Sequence, residues 1–458
     1  MPNRSTRALI AAAAAAVVTV TAAAAVVANQ GPTSVKKITG TNAEAPGLAW
    51  SLDAAEYLGR PFADFSDPRG GSSYMSGTPG FILAADTLVT LVGIPTDRYV
   101  LDEAAMIGID PENGAVRWKA PAADLEQCSG QPIDGKIYCY AQADGHAIVT
   151  FDLKSGASER RSVEEYIFGL TTTADTLYII EGSPEENDVR VHSGNFDDVS
   201  ANWTQEFDIG GGWEDVFESD VLTVTDGVGL VRMGIDMAQF DADSGTLLWG
   251  SGESCVSSAT LGSGGVVVQS DSGCGSGDTE SEQVLRGPDG KVLATSKSPE
   301  VQRPTFDHVT DADAPVLLGD SAYHRTTGER LWTNEDLVDR ESGTVTAVVG
   351  NIAYLRDTGN ARAVGVDVRS GRQLWRVDGD QSLTPLTAGG GLLVGSGVVA
   401  GSEALMAVDI GTGEIVWTAP FVAIDPDPET FRSGRAMTPY DNGWIYSSDR
   451  RMIGLTPL

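Results

Sequence analysis

Residues 407–417 read AVDIGTGEIVW: a small residue, then Asp409, a Thr412-Gly413 pair, and Trp417 four residues after the glycine. The same grammar recurs along the chain. IGIDPENGAVRW ends at Trp118, AQFDADSGTLLW at Trp249, AYHRTTGERLW at Trp332 and VGVDVRSGRQLW at Trp375. The turn residues of these copies are Asp110 and Gly114, Asp241 and Gly245, Gly328, Asp367 and Gly371, and Asp409 and Gly413; His324 stands where the others have Asp. Weaker copies fill the intervals. VTFDLKSGASER has Arg160 at the Trp position, FDDVSANW keeps Trp203 without the glycine, and VLRGPDGKVLA has Ala294 there. The Trp-equivalent positions are 118, 160, 203, 249, 294, 332, 375 and 417, a period near 43 residues. That is the length of one four-stranded propeller blade.

Each part of the motif has a physical reason. The alternation before the Asp is that of a strand with one buried face. The carboxylate can accept backbone N–H groups in the turn, and glycine enters the left-handed region at little steric cost. The residues after the glycine form the next strand, where the Trp brings a large flat surface between neighbouring blades. Two more short strands precede most copies, as in FILAADTLVTLVG (81–93) and GLTTTADTLYIIEG (169–182). No segment after residue 30 has helical periodicity, so the expected class is all-β, a propeller over residues 47–458. GLAWSLD with Trp50 reads as a fourth strand lacking its predecessors, and GWIYSSDRRMIGLTPL as strands lacking a fourth. Pairing them closes the ring. A literal count gives nine blades. Eight is the commoner size, so eight is the expectation and nine the alternative, with 255–297 or 303–334 as the copy falling short of a full blade.

The four cysteines, Cys128, Cys139, Cys255 and Cys274, fall two by two on the first and second strands of two repeats. This predicts disulfides Cys128–Cys139 and Cys255–Cys274, both structural, each worth about 3 kcal/mol through loop closure.

The chain has 458 residues and a formal net charge of −33, which excludes a nucleic-acid partner by electrostatic repulsion. Arg4 and Arg7 in residues 1–7 precede an uncharged run at 8–28. At about 1.5 Å per residue that run can span a hydrocarbon core of roughly 30 Å as one apolar helix. The expectation is a cytoplasmic N-terminus (1–7), a signal anchor (8–28), a spacer (29–46) and an extracytoplasmic, membrane-anchored propeller. Secretion after cleavage near Ala28 is the alternative.

AxDxxTGxxxW resembles the repeat of the pyrroloquinoline-quinone-type propellers, and Ala407, Asp409, Thr412, Gly413 and Trp417 match every fixed position. The resemblance covers about residues 47–458. It implies the fold and leaves function open, since such repeats build enzymes, scaffolds and sensors. Quinoprotein dehydrogenases of this kind imply a quinone stacked on a Trp over the axis, Ca²⁺ held by carboxylate and amide oxygens, and a general-base Asp. This chain has neither adjacent cysteines nor a CxxCH haem motif, and its repeats run head to tail without the long insertions that build the quinone pocket. It looks more like BamB, the non-enzymatic propeller of outer-membrane-protein assembly. The expected function is therefore a protein-binding scaffold in the cell envelope, without catalytic, cofactor or metal residues, whose partner is an envelope protein or cell-surface component. A PQQ- and calcium-dependent dehydrogenase, or a sensor domain partnering a separate receptor chain, are the alternatives.

The remaining polar motifs read as structural. His146, His192, His308 and His324 are scattered, with His324 in a repeat turn. DADSG (241–245) and TDADAP (310–315) lack the distal Glu of a calcium loop. DPDPET (425–430) reads as a proline-stiffened loop. GSGG (262–265) and AGGGLLVG (388–395) precede strands, which argues against phosphate cradles. The loops at 181–190 and 272–283 are the expected rim surface.

Overall fold

The computed structural model describes residues 45–457 except 72–78, 97–99, 143–144, 184–187, 210–220, 235, 251–255, 272–281, 299–301, 303–305, 309–312, 339–343, 358–361, 379–382, 428–429 and 432–435; residues 1–44 and 458 also lie outside the described residues. The described strands form nine sheets. In chain order they are blade 1 (residues 64–121), blade 2 (125–162), blade 3 (166–206), blade 4 (222–250), blade 5 (256–296), blade 6 (316–333), blade 7 (344–378), blade 8 (384–420) and blade 9 (436–457 with 46–53). The first strands of neighbouring blades touch one another, which places them innermost. The outer strands are half solvated: Val116–Pro121 alternates buried and exposed residues, whereas Thr87–Pro95 is buried for seven residues running. Hydrophobic clusters join neighbours. One unites Met106 and Trp118 with Ile137 and Phe151, another Ala347 and Trp375 with Met406 and Val408. The core is thus a ring of interfaces between blades.

The motif builds those interfaces. Asp409 Oδ1 accepts the Thr412 N–H at 2.9 Å and the Thr412 hydroxyl at 3.2 Å, and Asp241 and Asp367 hold Ser244 and Ser370 in the same way. His324 does the same through Nδ1, which accepts the Thr326 and Thr327 N–H groups. These turns receive the Trp of the preceding blade. The indole N–H groups of Trp50, Trp118, Trp203, Trp332 and Trp375 donate to the carbonyls of Pro111, Leu153, Ala242, Val368 and Ile410, at 2.7–3.0 Å. Each acceptor follows the turn Asp. The turn glycine lies under the same indole. A Cβ on Gly413, at φ +72°, would meet the Trp375 ring at 2.5 Å, and Gly371 stands likewise under Trp332. Within each blade the residue opposite the Trp is mostly small: Gly108 faces Trp118, Gly365 faces Trp375 and Ala407 faces Trp417.

Two junctions lack the Trp. After blade 2, the Arg161 guanidinium donates to the Phe196 carbonyl, the acceptor of a turn in which Asn195 replaces Asp. After blade 5, the Leu293 backbone presses on Gly328. Cys128 and Cys139, opposite each other on Leu125–Cys128 and Lys136–Ala141, are disulfide-bonded. The expected Cys255–Cys274 pair lies outside the described residues.

The ring closes as the termini suggested. Pro46–Asp53 pairs antiparallel with Arg451–Pro457 as the outer strand of blade 9. Its register repeats that of a motif, with Gly454 opposite Trp50. The two strands come from opposite ends of the chain, so no Asp-Gly turn joins them. Trp417 of blade 8 therefore meets no such turn. It packs on Trp444 at 5.3 Å between centroids, and its Nε1, deeply buried, has no hydrogen-bond partner among the described residues.

Three expectations need correction. The sheets number nine, not eight, because backbone pairing does not require the Trp. Residues 256–296 form four strands with Ala294 in its place, and the short copy forms the three strands Val316–Leu318, Ser321–Tyr323 and Arg330–Thr333. Its would-be inner strand, Phe306–His308, instead runs parallel beside Thr344–Val349 of blade 7. Against the absence of helical periodicity after residue 30, Ala54–Leu58 forms a short helix capped by Asp53, and the strand Asp64–Ser66 follows it. That strand and Ile82–Ala84 lie end to end on Thr87–Pro95. The membrane-anchored localisation is not upheld. The described α-helices are Ala54–Leu58 and Phe421–Ile424, and no helix among the described residues is long and apolar enough to cross a membrane. The expected apolar helix at 8–28 lies outside the described residues.

Trp375→Phe removes an indole donor and strands a buried carbonyl, whereas Trp417→Phe removes a donor that has no acceptor. Urea denaturation should show Trp375→Phe costing about 1–2 kcal/mol more than Trp417→Phe; equal losses would refute the junction bond as a stabilising contact. Cys128→Ser with Cys139→Ser should cost about 3 kcal/mol in the same assay, as expected for a short closed loop.

Candidate functional site

The closure leaves an opening. A cleft of about 330 Å³ is lined by blade 9, including Trp50, Tyr440, Asp441 and Trp444, and by Pro111 and Glu112 of the blade 1 turn. Tyr440 and Asp441 belong to a tight hairpin between Ala436–Tyr440 and Gly443–Ser447, with Asp441 in the left-handed region at φ 49°. The three aromatic residues are only partly exposed: Trp50 is seated against Gly114 and Gly454, and Trp444 packs on Trp417. Asp110 is neutralised by Arg117 at 3.1 Å, and Arg117 also approaches Asp86 at 3.5 Å. Glu112 and Asp441 are exposed and have no side-chain partner among the described residues. Burial, then the carboxylates of Glu112, Asp110 and Asp441, raise the Tyr440 phenol above the usual tyrosine range.

A second seam lies on the other side of the closure. Asp64, on the innermost strand of blade 1, pairs with Arg450 of blade 9, Nε to Oδ1 at 3.2 Å, in a geometry short of a hydrogen bond. Arg450 also donates to the Ala63 carbonyl, and the Phe65 N–H to the Asp449 carbonyl. Asp64 is buried, and desolvation pushes its carboxyl up to about 6 despite Arg450, with Asp449 adding to the rise.

The predicted polar residues are drawn into the scaffold. Asp110, Asp241, Asp367 and Asp409 hold turns. His192 is buried between Thr204 Oγ1, 2.8 Å from Nδ1, and Glu181 Oε1, 3.1 Å from Nε2. Glu181 thus belongs to the strand Leu177–Ser183 and not to an open acidic rim loop; residues 272–281 of the other expected rim loop lie outside the described residues. His146 Nδ1 lies 2.8 Å from the Glu165 carbonyl oxygen. In the 425–430 loop, Asp425 accepts the Thr430 hydroxyl and Asp427 pairs with Arg451. Sequence reasoning gave no sign of the cleft or of Asp64. Trp50 was legible as an outer-strand Trp, but Tyr440, Trp444 and Glu112 converge only through closure.

The family model described as "Outer membrane protein assembly factor BamB" matches residues 321–455, the three closing blades and the one before them. The match supports a PQQ-like, BamB-like β-propeller over those residues. Among solved structures, this propeller is similar to BamB from Moraxella catarrhalis at 10% identity over 82% of this chain and 93% of that one, TM-score 0.41. A europium-containing methanol dehydrogenase is similar at 10% identity over 91% and 94%, TM-score 0.43. The computationally designed Ika8 protein is similar at 12% identity over 90% and 100%, TM-score 0.48. No curated protein sequence matches the chain.

A quinone of the kind the repeat implies needs an aromatic floor at the axis. Here the repeat Trp residues stand on outer strands and are clamped under the next blade's turn, while the described inner strands, such as Tyr166–Thr172, Leu222–Thr225 and Thr384–Gly389, carry no Trp. No group of three His, Cys, Asp or Glu among the described residues can hold a metal ion.

Asp64 makes a signed prediction. Its folded value, about 6, lies above the ordinary 3.8, so between those values the folded protein holds the proton more readily than the unfolded chain. The associated stability is present at about pH 4 and is lost as pH rises through about 6. Urea midpoints of the wild type relative to Asp64→Asn should therefore shift in favour of the wild type between about pH 7 and about pH 4; a difference that does not vary with pH would contradict the assignment.

Proposed function

We propose that this propeller is a protein-binding scaffold with no catalysis of its own. One observation carries the reading. Among the described residues, the motif's own polar groups are engaged by the architecture: turn Asp residues by backbone N–H groups, five Trp indoles by carbonyls of the next blade, and His192 by Thr204 and Glu181. What remains for a ligand is surface. The cleft at the closure combines partly exposed aromatic side chains with unmatched carboxylates, the composition of an anchoring point on a protein interface. The matched family model is named for an assembly factor, a protein that works with other proteins, which supports the same reading.

The test is covalent crosslinking in intact cells with the tagged full-length protein, followed by mass spectrometry. Reproducible recovery of one abundant protein partner is expected. Recovery of nothing above background would overturn the scaffold reading, and titration of the purified protein with pyrroloquinoline quinone and Ca²⁺ would then decide whether the dehydrogenase alternative replaces it.

A further inference from the structure

The cleft at the ring closure has a definite chemistry. Its walls are Trp50, Tyr440 and Trp444, with Ala49, Pro111 and Pro457 completing the apolar surface. Indole and phenol faces carry negative potential, and Trp is the strongest cation–π partner among side chains. Glu112 and Asp441 stand at the same cleft, exposed and unmatched by any cation among the described residues. Arg117, the nearby base, is already shared between Asp110 and Asp86. The local balance is therefore a surplus of negative charge beside partly exposed aromatic side chains. At about 330 Å³ the cleft lies at the small end of ligand sites and is large enough for one long side chain.

We infer that this cleft receives a single cationic side chain, arginine or lysine, presented by a basic segment of the protein partner. The inference rests on the scaffold reading and names the partner's chemistry. The aromatic faces would take the cation and its methylene stem, while Glu112 and Asp441 supply charge at the rim. The chain's net charge of −33 steers a basic segment toward the protein over a longer range. The raised Tyr440 phenol fits the same picture, since the neighbouring carboxylates that hold its proton would also attract a cation.

The experiment uses purified full-length protein and two small probes, Nα-acetyl-arginine amide and its neutral isostere Nα-acetyl-citrulline amide, followed by calorimetry and Trp fluorescence. Saturable binding of the arginine probe is expected, at least about tenfold tighter than the citrulline probe, and weakened by added salt. Glu112→Gln with Asp441→Asn should remove several-fold of that preference. Both residues are exposed, so the fold should survive, as an unchanged urea midpoint would verify. Equal binding of the two probes, absence of saturation, or an unaffected double variant would each overturn the inference. Its failure is separable from that of the scaffold reading. A crosslinked partner recovered equally by the wild type and the double variant, with no arginine-probe binding, leaves the scaffold standing and removes the cleft. Arginine-probe binding without any crosslinked partner does the reverse.

Discussion

The indole of one blade seated under the Asp-Gly turn of the next is the contact on which the rest of the structure depends. It joins three requirements in one place. The Asp must hold the turn, the glycine must leave room for the ring, and the carbonyl after the Asp must face the indole N–H. Ile410, Gly413 and Trp375 meet all three at once. A change at any one affects an interface between two blades and not only a local turn. That is why the motif recurs with such rigid spacing. A repeat array of this kind is held by nearest-neighbour terms, and at five junctions the same few atoms carry the term.

Closure is where the rule has to break. An outer strand borrowed from the other end of the sequence can copy the strand register, as Gly454 opposite Trp50 does, but it cannot supply a hairpin turn. Trp417 loses its acceptor in consequence and leans on Trp444 instead. The cleft lies at this same irregular blade. Asymmetry in a repeat ring is the natural source of a unique binding surface, because regular junctions are filled by their own motif.

Much of this was legible in the sequence. The period, the outer-strand position of each Trp, the split closing blade and the Cys128–Cys139 bridge follow from local patterns whose physics is short-ranged. The blade count was not. Ala294 and the short copy around Trp332 read as defects, yet sheet pairing is a backbone property and persists where the side-chain lock is missing. The parallel detour of Phe306–His308 had no signature, because a three-residue strand carries no detectable alternation. Nor could the cleft be read, since Glu112 and Trp444 are separated by more than three hundred residues and meet only by closing the ring. Asp427 of the 425–430 loop gave no sign in the sequence of its pairing with Arg451.

One junction without a Trp lock has a further property. The blade ending at Arg160 carries the Cys128–Cys139 disulfide. A blade whose outer strand is not clamped by its neighbour's turn gains less from the interface, and a crosslink within the blade offsets part of that loss by restricting the unfolded chain. Arg161 supplies a donor to the Phe196 carbonyl but not the flat surface of an indole, so the hydrogen bond survives at this junction while the packing does not. At blade 2 covalent restraint thus accompanies the missing aromatic lock. A closed ring tolerates the substitution because each blade is held from both sides, and a junction weakened on one side remains confined by the other eight.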